Sequence, residues 1–78
     1  MFLKELIELI VKGIVDKPDE VEINQIIGEK TLIFEIKANP QDVGKIIGKQ
    51  GRNVKSIRTI ANAAAQNSNK RVIIEIID

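Results

Sequence analysis

The sequence predicts a small α+β domain of order α-β-β-α-α-β, with a three-stranded mixed sheet and three helices on one face. Three observations predict it. Residues 2–15 and 52–66 repeat apolar side chains every three to four positions, the period of a helix packed on one side. Residues 20–27 and 31–38 alternate apolar with polar and flank Gly28-Glu29, which suits an antiparallel hairpin. The stretch from Pro40 to Gln66 is long enough to cross the sheet, so strands at 31–38 and 70–77 can lie parallel with a right-handed connection.

Taken in order, Phe2, Leu3, Leu6, Ile7, Ile10, Val11, Ile14 and Val15 form the apolar arc of a first helix, opposite Lys4, Glu5, Glu8 and Lys12. The arc spans about 220° at 100° per residue, wide enough for deep burial or for a partner protein. Pro18 stops the helix, because the residue before a proline is pushed out of the helical region. In the first strand Val21, Ile23 and Ile27 alternate against Glu20, Glu22 and Asn24. In the second, Leu32, Phe34, Ile36 and Ala38 face one way and Thr31, Ile33, Glu35 and Lys37 the other, as in a pair covered by helices on one side.

Asn39-Pro40-Gln41-Asp42 is a helix start, with Asn as cap, Pro at the first helical position and an acid in the first turn. That helix is short, because Gly48 ends it; Gly44 within it suits close packing between helices. The helix after the glycines runs to about Gln66, with Val54, Ile57, Ala61, Ala64 and Ala65 inward and Arg52 and Lys55 outward. Asn67-Ser68-Asn69 breaks it, and Lys70 to Ile77 is a last strand with β-branched residues on both faces, as at a parallel pairing.

At 78 residues and 44% apolar, the chain is one globular domain covering 1–78, with no linker or repeat. Without cysteine it has neither disulfides nor thiolate metal sites. No apolar run has membrane-spanning length, and Lys4, Glu5, Glu8 and Lys12 interrupt the N-terminal apolar stretch, against a signal peptide. A cytoplasmic protein with no membrane association is expected. The net charge of +1 hides an asymmetry: residues 1–42 carry five Lys/Arg and nine Asp/Glu, residues 43–78 seven and two. A basic second half suits an anionic partner, although charge alone does not separate this from a solvated basic face.

The stretch G-K-I-I-G-K-Q-G-R-N-V-K-S-I, from Gly44 to Ile57, resolves that ambiguity. Gly48 and Gly51 bracket Lys49 and Gln50 between two helices, where glycine permits a tight turn and close backbone approach. The N-terminus of the following helix faces the loop with free N–H groups and a positive dipole end, which suits phosphate. Lys45, Lys49, Arg52 and Lys55 surround it. A plain helix-helix turn needs neither two glycines nor the cations beside them, so the ligand expected is a sugar-phosphate backbone. The spacing Gly44-x-x-x-Gly48-Lys49 is one residue short of a P-loop and lacks the following Ser or Thr. With no histidine or cysteine and no serine beside a base, catalysis is not expected. The acidic group Asp16, Asp19, Glu20 and Glu22 has no metal-ligand spacing and reads as a solvated loop; no cofactor or metal is expected.

Ile46-Ile47-Gly48-Lys49-Gln50-Gly51-Arg52-Asn53-Val54-Lys55-Ser56-Ile57 resembles the I-I-G-x-x-G-x-x-I/V-x-x-I signature of KH RNA-binding domains. The helix and strand ahead of the core resemble the type II arrangement, and the whole chain is similar to the small stand-alone bacterial KH proteins of the KhpA type. The resemblance implies a type II KH domain that binds single-stranded RNA without catalysis, as an RNA chaperone or post-transcriptional regulator. By the same resemblance Gly48, Lys49, Gln50 and Gly51 are the clamp, and Ile47 with the apolar side of the next helix is the floor under the bases. Lys45, Arg52 and Lys55 would reach phosphates. The implied protein partners are a second copy and a larger KH-containing protein of the Jag type. An adaptor that mainly joins proteins is the alternative, motivated by the wide apolar arc of the first helix.

Overall fold

Four-residue spacing decides the first element. Leu3, Ile7 and Val11 line one side of α1 (Leu3–Ile14) and are buried together with Val15. Leu6, Ile10 and Ile14 pack at the margin of the same core. In the computed structural model, which describes residues 3–77, the protein's own interior thus takes up the middle of this arc and covers its margin in part. Phe2, expected to open the helix, lies outside the described residues. The helix ends at Ile14, before the proline is reached. Pro18–Glu20 form a 3-10 turn, which moves the start of β1 (Glu22–Ile27) two residues beyond the expected Glu20.

β1 pairs antiparallel with β2 (Thr31–Lys37), and β2 pairs parallel with β3 (Arg71–Ile77), in the order β1-β2-β3. The register sets Ile23 opposite Ile36 and Phe34 opposite Ile74, so the inward residues of three strands meet in one layer. Phe34 and Ile36 are fully buried there, with Leu32, Val72 and Ile74 nearly so. Burying side chains of this size stabilises the fold by about 1.5–3 kcal/mol each. Ile27 shares the inward side of β1 but is 66% exposed at the hairpin end, where nothing covers it; the expected alternation fails there. β3 is an edge strand, and the Val72 N–H on that edge donates to Asn62 Oδ1 at 3.2 Å.

α2 (Pro40–Ile47) and α3 (Arg52–Ala64) complete the helical layer. Ile46, Ile57, Ala61 and Ala65 are their buried contacts, with Val54 partly buried. Ile57, Ala61 and Ala65 follow one another by four residues, a narrow stripe that leaves Ala64 beside it and exposed, contrary to expectation. α3 stops at Ala64, followed by a 3-10 turn at Gln66–Ser68. The result is the expected α+β architecture of three helices on one face of a three-stranded mixed sheet. No helix among the described residues is long and apolar enough to cross a membrane.

Candidate nucleic-acid interface

α2 is built to start firmly. Asn39 Oδ1 accepts the Gln41 N–H at 2.8 Å, Pro40 occupies the first turn, and Asn39 Nδ2 donates to both Glu20 carboxylate oxygens at 3.1 and 3.3 Å. One turn in, the Asp42 side chain is 2% exposed, and its two oxygens accept the Asp16 and Lys17 backbone N–H groups at 3.2 and 3.0 Å. The chain leaving α1 is therefore strapped along α2.

The far end of α2 is different. Gly48 (φ 77, ψ 172) lies in backbone space that only glycine occupies readily, and Gln50 (φ 58, ψ 27) and Gly51 (φ 74, ψ 15) are left-handed. A Cβ on Gly48 would stand 2.7 Å from Asn53 Cγ and 2.9 Å from its backbone nitrogen. A Cβ on Gly51 would meet nothing, so that glycine is required by conformation alone. Asn53 Nδ2 in turn donates to the Lys45 carbonyl at 2.8 Å, pinning the first turn of α3 to the last turn of α2. Asn53 escaped the sequence reading, because one amide among exposed residues carries no periodic signal.

Inside the loop Gly48 N–H donates to Gly44 O at 2.8 Å and Gly51 N–H to Gly48 O at 3.1 Å; the Arg52 N–H reaches Lys49 O. Lys49 and Gln50 N–H groups donate to no group among the described residues, and both residues are exposed. α3 then begins without a side-chain cap, and its positive end adjoins the loop. Gly44, expected to allow close helix packing, is exposed, and a Cβ there would meet nothing.

Among the predicted residues, Gly48, Lys49, Gln50 and Gly51 form the loop, Arg52 and Lys55 are exposed on α3, and Ile47 stands 38% exposed at its edge. Arg52 and Lys55 line a shallow recess on the outer side of α3 with Ser56, Thr59 and Ile60. Ile60, 44% exposed, lies off the inward stripe and was not expected at the surface site. Lys45 is directed elsewhere: its ammonium is hydrogen-bonded to Asp16. That bond, with further attraction from Asp16 and Asp42, holds Lys45 above the usual lysine pKa. The pairing spans 29 positions of sequence and left no local trace.

A sequence model described as KhpA/KhpB, KH domain, matches residues 4–76. The chain belongs to that family. It is 53% identical over 75 residues to the RNA-binding protein KhpA of Clostridium perfringens, covering 96% of this chain and 100% of the relative. It is 54% identical over 74 residues to the RNA-binding protein KhpA of Borreliella burgdorferi, covering 95% and 90%. The KH family is non-enzymatic, and its KhpA members are named for RNA binding. The crystal structure of Aquifex aeolicus Era Y63A bound to GDP and aluminium fluoride superposes with a TM-score of 0.59 at 22% identity. The match covers 96% of this chain and 29% of that one, a likeness of fold.

Proposed function

We propose that this protein binds single-stranded RNA at the Gly48–Gly51 loop, without catalysis. The observation that carries the proposal is the loop's backbone: with positive φ at Gly48, Gln50 and Gly51, the N–H groups of the exposed Lys49 and Gln50 have no partner among the described residues, beside the uncapped N-terminus of α3. Phosphate oxygens satisfy such donors, and Lys49, Arg52 and Lys55 add charge around them. Ile47 and Ile60 offer aliphatic surface to bases, and with Phe2 and Phe34 the only aromatics, no stacking platform exists. Contact of this kind is modest in affinity and loose in sequence preference. Avidity supplied by a second copy or by a larger KH-containing protein of the Jag type strengthens it, since linked weak sites gain a hundredfold or more when geometry permits. The cellular role that follows is an RNA chaperone or post-transcriptional regulator in the cytoplasm.

The test replaces Lys49 and Gln50 together with Asp and measures RNA binding and folding side by side. Lost binding in a folded protein supports the proposal; unchanged affinity rejects it. Matched RNA and DNA oligomers in competition distinguish RNA from general single-strand binding. The adaptor alternative draws on the wide apolar arc of α1, in which Leu3, Ile7, Val11 and Val15 are buried while Leu6, Ile10 and Ile14 are only partly so. Sedimentation of the purified chain at micromolar concentration tests it, and a strict monomer that ignores a KH-containing partner rejects it.

A further inference from the structure

Four cations surround the loop, yet they are not equivalent. Among the described residues Lys45 alone of the four has a carboxylate within ion-pair distance; Lys49, Arg52 and Lys55 have none. Its partner is not a loosely placed side chain. Asp16 follows α1 in a segment whose backbone is anchored to α2 itself, through the Asp16 and Lys17 N–H groups on the buried Asp42 carboxylate. Asp42 and Lys45 are three residues apart on that helix, hence on the same side of it. Much of the ordering cost of an exposed ion pair is thereby met by the fold, and the Asp16 carboxylate is presented where the Lys45 ammonium can reach it. The Lys45 carbonyl is meanwhile held by Asn53 on the loop side. One residue thus serves the loop with its backbone and the acidic strap with its side chain.

We propose that Asp16 is a positioning residue that withholds Lys45 from the RNA and so limits the strength and salt dependence of phosphate binding at the loop. The proposal rests on RNA binding by the Gly48–Gly51 loop. Asp16 touches no phosphate; it acts through Lys45, leaving Lys49, Arg52 and Lys55 as the cations available. Asp19, Glu20 and Glu22 line a recess at the other end of α2, with Lys37, Asn39 and Pro40, so the ion-paired carboxylate next to the loop is Asp16. An RNA strand is accordingly favoured on the α3 side of the loop, towards Ser56, Thr59 and Ile60. Removing the Asp16 charge frees the fourth cation.

The experiment titrates a short labelled single-stranded RNA of mixed sequence against wild type, Asp16→Asn, Lys45→Met, the double variant and the Lys49→Asp/Gln50→Asp control over a range of salt. Asp16→Asn is expected to steepen the log–log salt slope by about 0.7, one single-strand phosphate contact, which is roughly fivefold tighter binding near 0.1 M salt. In the Lys45→Met background Asp16→Asn is expected to change neither slope nor affinity. Thermal melting of each variant checks folding; the largely exposed Asp16 side chain makes Asn mild there. An unchanged or weakened Asp16→Asn, or a gain that persists without Lys45, overturns the proposal while leaving the loop assignment intact. If the Lys49→Asp/Gln50→Asp control binds as wild type does, or wild type binds no RNA, the loop assignment falls and this proposal falls with it.

Discussion

The two ends of α2 are opposites. The Asn39–Asp42 end is anchored: the cap is made, proline supplies the first turn, and a buried carboxylate receives two backbone donors. At Gly48–Gly51 three of four residues hold positive φ, and among the described residues two N–H groups have no partner and no carboxylate lies within ion-pair distance of Lys49 or Arg52. The difference teaches how a short helix can present a strained loop. A conformation that costs free energy persists only when its surroundings over-determine it. Here the surroundings are the anchored first turn of α2, the buried Ile46, and Asn53 reaching back to Lys45.

Removing the anchor is the most damaging test of that contrast. Asp42→Ala removes the charged acceptor of two part-buried backbone donors and is expected to lose about 3 kcal/mol by urea denaturation, a large part of a small domain's stability. A loss near zero would mean the strap does not secure α2. Next is Gly48→Ala at the other end, where both the backbone region and the collision with Asn53 oppose a Cβ. It is expected to cost about 2–3 kcal/mol and to displace the loop, so RNA affinity and melting temperature should fall together. Gly44→Ala reverses the sign. Exposed, helical and free of neighbours, it should gain about 0.5–1 kcal/mol in the same denaturation experiment, and a loss would show that glycine is needed there after all.

The smallest effect is one of pH. Since Asp16 raises the Lys45 pKa in the fold, the pair's contribution is complete below the ordinary lysine value of 10.5 and is lost as pH rises through the raised one. Wild type should therefore lose slightly more stability than Asp16→Asn across that alkaline window in melting experiments. Identical alkaline profiles would show that the ion pair contributes nothing measurable in solution.

How far the sequence could be read follows from the range over which its signals act. The periods of α1 and α3 and a hairpin after Ile27 are recorded in adjacent residues, so they were legible, as was the loop with Gly48 and Gly51 at its ends. The hairpin's two-residue loop is Glu29-Lys30, one position later than expected, because the Gly28 N–H donates to Thr31 O. Errors fell where an element meets its neighbours. Pro18–Glu20 coiled into a turn instead of extending, Ile27 ran past its cover, and Ala64 lay just outside a stripe only one residue wide. Asp42 could be read as a first-turn acid favoured by the helix dipole, but not as the buried acceptor of a strap. Lys45 was counted with the loop cations by proximity in sequence, and its hydrogen bond to Asp16 in the fold left no local sign.

By itself the sequence determined the order of helices and strands, the parallel return of the last strand, and the place and character of the loop. Each is a matter of local spacing or of chain length, and neighbouring residues carry that information. Only the tertiary structure decided which polar groups meet. Asp16 and Lys17 reach Asp42 across 26 and 25 positions, and Asp16 reaches Lys45 across 29. Such contacts depend on the angle at which α1 leaves the core and passes over α2, and that angle is set by packing among Ile7, Val11, Ile46 and Ile57 together, not by any short run of the chain.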